Sequence, residues 1–225
     1  MKKILVLIFV LFSSNVIAHM EHYNKYNKIE MDILRNGEII GYNYYFFSRK
    51  GNQTTVTNQI KFSVKVLGAT IFQVEGFGEE KYLKDQLISY NSKTLQNDKK
   101  KFVNLVYGKD QRKFDIKGSS YKGKASSDCV IGNWWNHKIL QTSKQISPVS
   151  GSIKEQVVTF IGKEKIKQYG QTYEVEHFKL ESKDKSLPKD KRLDFDIWYD
   201  KKSSMIVRVS YSRMGNWEYR LKNFE

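Results

Sequence analysis

An all-β fold, a curled antiparallel meander sheet or half-barrel with one short helical insertion, is what this sequence predicts, and three observations predict it. Over the C-terminal stretch apolar residues take every second place: Phe195, Ile197 and Tyr199, then Val207, Val209 and Tyr211, then Trp217, Tyr219 and Leu221. Period two over consecutive segments marks strands with one buried face and one wet face. Turn signals punctuate these segments at short intervals, among them Asn36-Gly37, Lys50-Gly51-Asn52, Gly108-Lys109-Asp110 and Tyr169-Gly170-Gln171. The alternation fails over a single internal stretch, between Ala125 and Ser152.

Met1-Lys2-Lys3, the apolar run Ile4 to Phe12 and the small residue Ala18 match a secretory signal peptide over residues 1–18, too short a run to span a bilayer. Residues 19–225 then form a single β-rich domain in a periplasmic or secreted protein, with no transmembrane segment after cleavage. From His19 to Asn27 the chain is polar and expected to fray. Ile29, Met31 and Ile33 make the first strand, and Asn36-Gly37 supplies positive φ at both centres of a type I′ hairpin turn. The return strand, Ile39 to Phe47, is aromatic on both parities and is expected to be covered on both faces.

Val56, Ile60, Phe62, Val64 and Val66 share one face of the next strand, against Thr57, Gln59, Lys61, Ser63 and Lys65. Thr70 to Tyr82 follows, with Gly76 and Gly78 marking a bend or a close approach of another group. Leu83 to Asn97, Phe102 to Tyr107, Arg112 to Lys117 and Tyr121 to Lys124 read as further strands. In the break, Asn136 is placed to cap one or two helical turns over Lys138 to Ser143, and Pro148 ends them. Gln156 to Gly162, Tyr173 to Ser182 and the C-terminal meander complete ten to twelve strands, too many to stay flat and open.

The formal charge of +15 falls by two, to +13, when Lys2 and Lys3 leave. In an envelope compartment the matching partner is an anionic envelope surface rather than nucleic acid, although scattered lysines also keep strand edges from aggregating. Cys129 is the one cysteine, so no internal disulfide is available.

Trp198-Tyr199-Asp200, closing a strand before a short turn and the Met205 to Tyr211 strand, is the most telling local pattern. With Asn36-Gly37 followed by Ile40-Gly41, and with Trp134-Trp135-Asn136 in the mid-chain break, it resembles a family of secreted bacterial proteins known only as a domain of unknown function. That family in turn is similar to the outer-membrane lipoprotein carrier fold. The resemblance implies a curled antiparallel sheet holding a hydrophobic hollow, and it implies no activity.

Groups that carry chemistry are few. Cys129 and His137 lie eight residues apart without an evident orienting third group, and a structural cysteine is the simpler account. Cleavage after Ala18 would make His19 the first residue, so that its amine and imidazole, with His22, offer nitrogen ligands suited to copper; a tail without metal is the simpler account. Asp194, Asp196 and Asp200 alternate on one strand and read as a solvated face opposite lysines. No cofactor and no enzymatic activity are expected.

Aromatic residues make up 14% of the chain, concentrated on one strand parity, and the tryptophan-bearing break is placed to act as a lid. The expected function is a binding or carrier-type module for an apolar ligand, a lipid or a lipidated partner. Trp134, Trp135, Trp198, Tyr199, Tyr211 and Trp217 are the candidate ligand-binding residues. A structural or interaction protein of the envelope, with no small ligand, is the alternative.

Overall fold

The computed structural model describes residues 19–225; the signal-peptide expectation for residues 1–18 lies outside them. Among the described residues fifteen strands join in one sheet. The first eight are β1 (Lys28–Arg35), β2 (Glu38–Lys50), β3 (Gln53–Val66), β4 (Ala69–Leu83), β5 (Gln86–Gln96), β6 (Lys99–Gly108), β7 (Lys113–Gly118) and β8 (Lys122–Ser126). The remaining seven are β9 (Val130–Ile131), β10 (Lys144–Ile146), β11 (Ile153–Gln168), β12 (Gln171–Ser182), β13 (Asp194–Asp200), β14 (Met205–Ser212) and β15 (Asn216–Phe224).

Successive strands lie side by side except β8 and β9, and the two halves of the chain meet where β1 pairs antiparallel with β15. The outermost strands are β8 and β9, separated in sequence by only Ser127, Asp128 and Cys129. The sheet therefore curls until its edges approach, yet no ladder closes it. All pairings are antiparallel except that of β9 with β10. Local twist and bend are set by bulges, including those at Glu30/Met31, Ile33/Leu34 and Trp198/Tyr199.

One face of the sheet holds the core. Met31, Tyr45, Val56, Tyr90, Leu105, Phe114, Leu180, Ile197 and Val209 are buried on it, each placed there by strand parity. The Ala125–Ser152 break is folded into the interior as a plug. Trp135, Ile131 and Ile139 are fully buried, and the segment after β10 reaches across to the other half of the sheet: Tyr90 and Ser92 both donate to the Pro148 carbonyl. Its helical content is one 3-10 turn, His137–Leu140, whose first free amide is satisfied as expected, Asn136 Oδ1 accepting from Lys138 N at 3.0 Å. That turn begins one residue earlier and ends three sooner than the sequence suggests, because β10 takes up Lys144–Ile146.

Three other expectations are corrected. The stretch after residue 18 does not fray: it forms a 3-10 turn, His19–Tyr23, and Met20, Tyr23 and Tyr26 are buried. Burial of those three side chains outweighs the polar character of their neighbours. The outer aromatics of β2 have no second layer over them. Tyr42 and Tyr44 stack on each other at 4.4 Å, and Lys28 lies over Tyr44 and Phe46, so one another's rings and an alkyl stem half-bury them. The strand count is fifteen rather than ten to twelve, since β9 and β10 are too short to show a period and β11 resets its parity at the Phe160/Gly162 bulge.

Candidate functional site

The inner face is not filled uniformly. Near the end of the sheet where the β1–β2, β3–β4 and β14–β15 turns lie, the inward residues Ile60, Phe62 and Val64 of β3 face Trp217 and Tyr219 of β15. Between them is a hollow of about 540 Å³, open at the turn end, with Phe72, Val74 and Tyr211 also on its walls. Its apolar lining follows from parity: Phe62 pairs with Val74 and Val64 with Phe72, so all four point inward together.

Deeper in, the wall changes character. A chamber of about 120 Å³ shares Ile60, Thr94, Val149 and Tyr219 with the hollow and is lined further by Asn43, Asn58, Ser92 and Asn133. Asn58 donates to Asn43 Oδ1 at 2.5 Å, and Asn43 donates to the Tyr45 hydroxyl at 2.8 Å. Gly78 keeps this chamber open to Tyr90, whose hydroxyl would lie 3.0 Å from a Cβ placed there. The glycine marks a close approach, one of the two roles its sequence position suggests. The combination is an apolar mouth above a small polar floor, an arrangement that suits an amphiphilic small molecule.

Three of the six candidate binding residues come together here. Trp134 meets Phe195 at 5.1 Å and Tyr219 at 6.0 Å between ring centres; Phe195 meets Tyr211 at 5.3 Å, and Tyr211 stacks on Trp217 at 5.8 Å. Phe62, edge-on to Trp217 at 5.5 Å, continues the chain of rings across the hollow. The other three lie elsewhere. Trp135 is deep in the plug against Tyr23, Phe47 and Tyr82. Tyr199 packs beside His137. Trp198 is on the outer face, between the stacked His177 ring and the Arg208 guanidinium, because its parity is that of Asp196 rather than of Ile197.

The plug is fixed by a residue the sequence reading missed. Glu80 of β4 is buried on the inner face and accepts from Asn133 Nδ2 (2.6 Å), Trp135 Nε1 (2.9 Å) and the Tyr82 hydroxyl (2.5 Å). Burial raises its pKa, and the three donors oppose that shift. The signal was available: Glu80 shares the parity of Gly78 and Tyr82, so alternation alone turns it inward.

The titratable candidates take other roles. His137 Nδ1 is 2.6 Å from the Tyr23 hydroxyl, and burial, with His22 close by, lowers its pKa to about 4. Burial pushes the Cys129 thiol up to about 11, the reverse of an activated thiolate. The His22 ring lies 5.5 Å from that of His137, and no group of three or more His, Cys, Asp or Glu placed to hold a metal occurs among the described residues. Lys179 bridges Asp194 and Asp196 at 2.7 and 2.9 Å, while Asp200 accepts from the Lys202 and Ser203 amides, so each of these aspartates has a local partner.

A larger trough, about 730 Å³, lies on the outer face over β3 to β6 between Phe77, Leu95 and Phe102 and the chains of Lys61, Lys93 and Lys100. The inner hollow is the better candidate site. It is walled by the buried Trp217 and the half-buried rings of Phe62, Phe72, Tyr211 and Tyr219, whereas the trough is a shallow solvent-facing groove whose Lys61 is paired with Glu75.

Residues 31–222 match a family described as Domain of unknown function (DUF6134). No curated protein matches the sequence significantly. Among solved structures, a beta-barrel-like protein of domain of unknown function DUF1849 from Brucella abortus superposes with a TM-score of 0.59 at 8% identity, covering 88% of this chain and 96% of its own. A putative exported protein with a YmcC-like fold from Bacteroides fragilis gives a TM-score of 0.37 at 10% identity, covering 88% of this chain and 94% of its own.

Proposed function

The chain belongs to the DUF6134 family, and on that premise we propose that it is a binding or carrier-type module, exported to the periplasm or beyond, that shelters an apolar or amphiphilic ligand. The observation that carries this reading is the 540 Å³ hollow walled by Phe62, Phe72, Val74, Tyr211 and Trp217, open at one end and floored by asparagines. A purely structural sheet gains from closing such a void, because each missing contact on an inward wall forfeits dispersion energy. The apolar walls suit an acyl or similar chain, and the neutral polar floor suits a hydroxyl, ester or amide rather than a charged group.

Thr94, on the wall shared by the hollow and its floor, is the place to test it. A fluorescent fatty acid should bind the parent protein in solution, and Thr94→Phe should abolish that binding by filling the neck. Absence of probe binding by the parent, together with no lipid seen by native mass spectrometry on protein purified from its host envelope, would retire the carrier reading. The lysine-flanked outer trough favours one second reading, an interaction protein of the envelope that needs no small ligand.

A further inference from the structure

The turns around the mouth of the hollow carry apolar side chains that the fold does not explain. Leu67 is 102% exposed, Met214 87%, Ile39 60% and Ile71 51%. Register places them at one end of the sheet. Arg35 pairs with both Glu38 and Trp217, Gly41 with Phe62 and Val66 with Ala69, so the β1–β2, β3–β4 and β14–β15 turns stand at nearly the same level. The first and last are tied together directly: Arg35 donates to the Met214 carbonyl at 2.6 Å, and Asn36 Oδ1 accepts from Asn216 N at 2.9 Å. Ile71 and Met214 also border the hollow itself.

Leu67 and Met214 stand out for a second reason. Their φ values are +49° and +50°, in the left-handed region that Asn, Asp and Gly occupy cheaply and a large apolar side chain does not. At the matching position of the first turn the chain has Asn36, φ +51°. Folding alone favours an asparagine at all three sites. Two of them instead hold long apolar side chains that point into water, at a cost in local strain and in exposed apolar area.

The charges beside these side chains name the partner. The three turns and their flanks carry Arg35, Lys65 and Arg213 against the single acid Glu38. Apolar tips interleaved with cations are the composition of a surface that sits in the headgroup layer of an anionic bilayer, the tips entering the acyl boundary and the cations meeting phosphates. We infer that this rim docks the open mouth of the hollow onto an anionic lipid surface. The inference goes beyond the carrier reading, because a rim of this kind docks whether or not the hollow holds cargo.

Flotation with vesicles tests it. The parent protein should float with vesicles of phosphatidylcholine mixed with phosphatidylglycerol far better than with phosphatidylcholine alone, and added salt should weaken the association. The double variant Leu67→Asn, Met214→Asn changes no charge and suits the backbone better. Its binding should fall by about tenfold or more while its melting temperature stays level or rises. Val106→Asn with Ile161→Asn, which trims exposed apolar residues elsewhere on the sheet, should float like the parent. Flotation of the rim variant equal to the parent's, equal flotation with both lipids, or no flotation of the parent would each overturn the inference. Fatty-acid binding measured without vesicles reads the carrier function separately, so either idea can fail alone.

Discussion

Glu80 shows how a single side chain decides whether the plug is held. Glu80→Gln keeps an oxygen to accept from Asn133 and Trp135 and offers an amide N–H to the Tyr82 hydroxyl, so the fold should survive with stability at neutral pH equal to or above that of the parent. Glu80→Leu strands three buried donors and should cost more than about 3 kcal/mol, measured by chemical denaturation. The sign of the pH effect follows from the raised pKa. A carboxyl whose folded value lies above its unfolded value stabilises the fold at pH below the unfolded value, and loses that contribution as pH rises through the folded one. Glu80→Gln should abolish this dependence. His137 works the other way. Its value of about 4, against an ordinary 6.5, means that stability present above pH 6.5 is lost as pH falls towards 4. Denaturation curves of parent and His137→Gln across that window should diverge, only the parent showing the loss. Trp217 and Val74 make a contrasting pair on the hollow. Trp217 is 7% exposed, stacks on Tyr211 and donates to the Arg213 carbonyl, so Trp217→Ala should cost about 3–5 kcal/mol. Val74 is half-buried, and Val74→Ala should change probe affinity more than stability.

At the scale of the element, the β11–β12 hairpin reaches beyond its partner strands. Its tip folds back so that Tyr169 donates to Asp32 Oδ2 at 2.7 Å and Gln168 donates to the Val207 and Leu221 carbonyls, both beside bulges where the ladder leaves an acceptor open. Asp32 is 4% exposed despite facing outward, because this tip covers it. Tyr169→Phe should therefore destabilise the protein by about 1–2 kcal/mol and raise hydrogen exchange at the tip more than in β1. Much of each strand was legible beforehand. Alternation set the inward residues of β3 and β15, Asn36-Gly37 set the first hairpin, and Asn136 set the cap. The outward place of Trp198 was legible too, since it shares a parity with Asp196 rather than with Ile197. What local pattern does not contain is the order in which strands from opposite halves meet, nor the bulges that swap a strand's inner and outer parity midway. The hollow depends on both. Alternation turns Tyr211 and Trp217 onto its wall, yet its polar floor was not legible, because Asn43, Asn58 and Ser92 read as ordinary polar residues until the curl brings them together.

On the scale of the molecule, the β1–β15 pairing is the seam that makes one sheet from two. Each half is a run of neighbouring hairpins with mostly local contacts, while this seam joins residues nearly the whole described chain apart, as in Ile29 with Phe224. The entropy of closing so long a loop must be met before the seam returns any contact. Removing residues 216–225 should leave both β1 and β14 with bare edges and abolish cooperative unfolding. A peptide of residues 216–225 added in trans should restore part of the near-ultraviolet circular dichroism by filling the vacant slot.

The same seam orders events during synthesis. β15 follows every other described strand in the chain, so until it has been made the nascent chain carries two unmatched strand edges, on β1 and β14, and an unlined hollow. Until β15 is in place the sheet cannot be completed, which leaves those edges open to edge-to-edge aggregation meanwhile. The charges on those two strands, Lys28, Glu30 and Asp32 of β1 and Arg208 of β14, discourage such pairing in the interval.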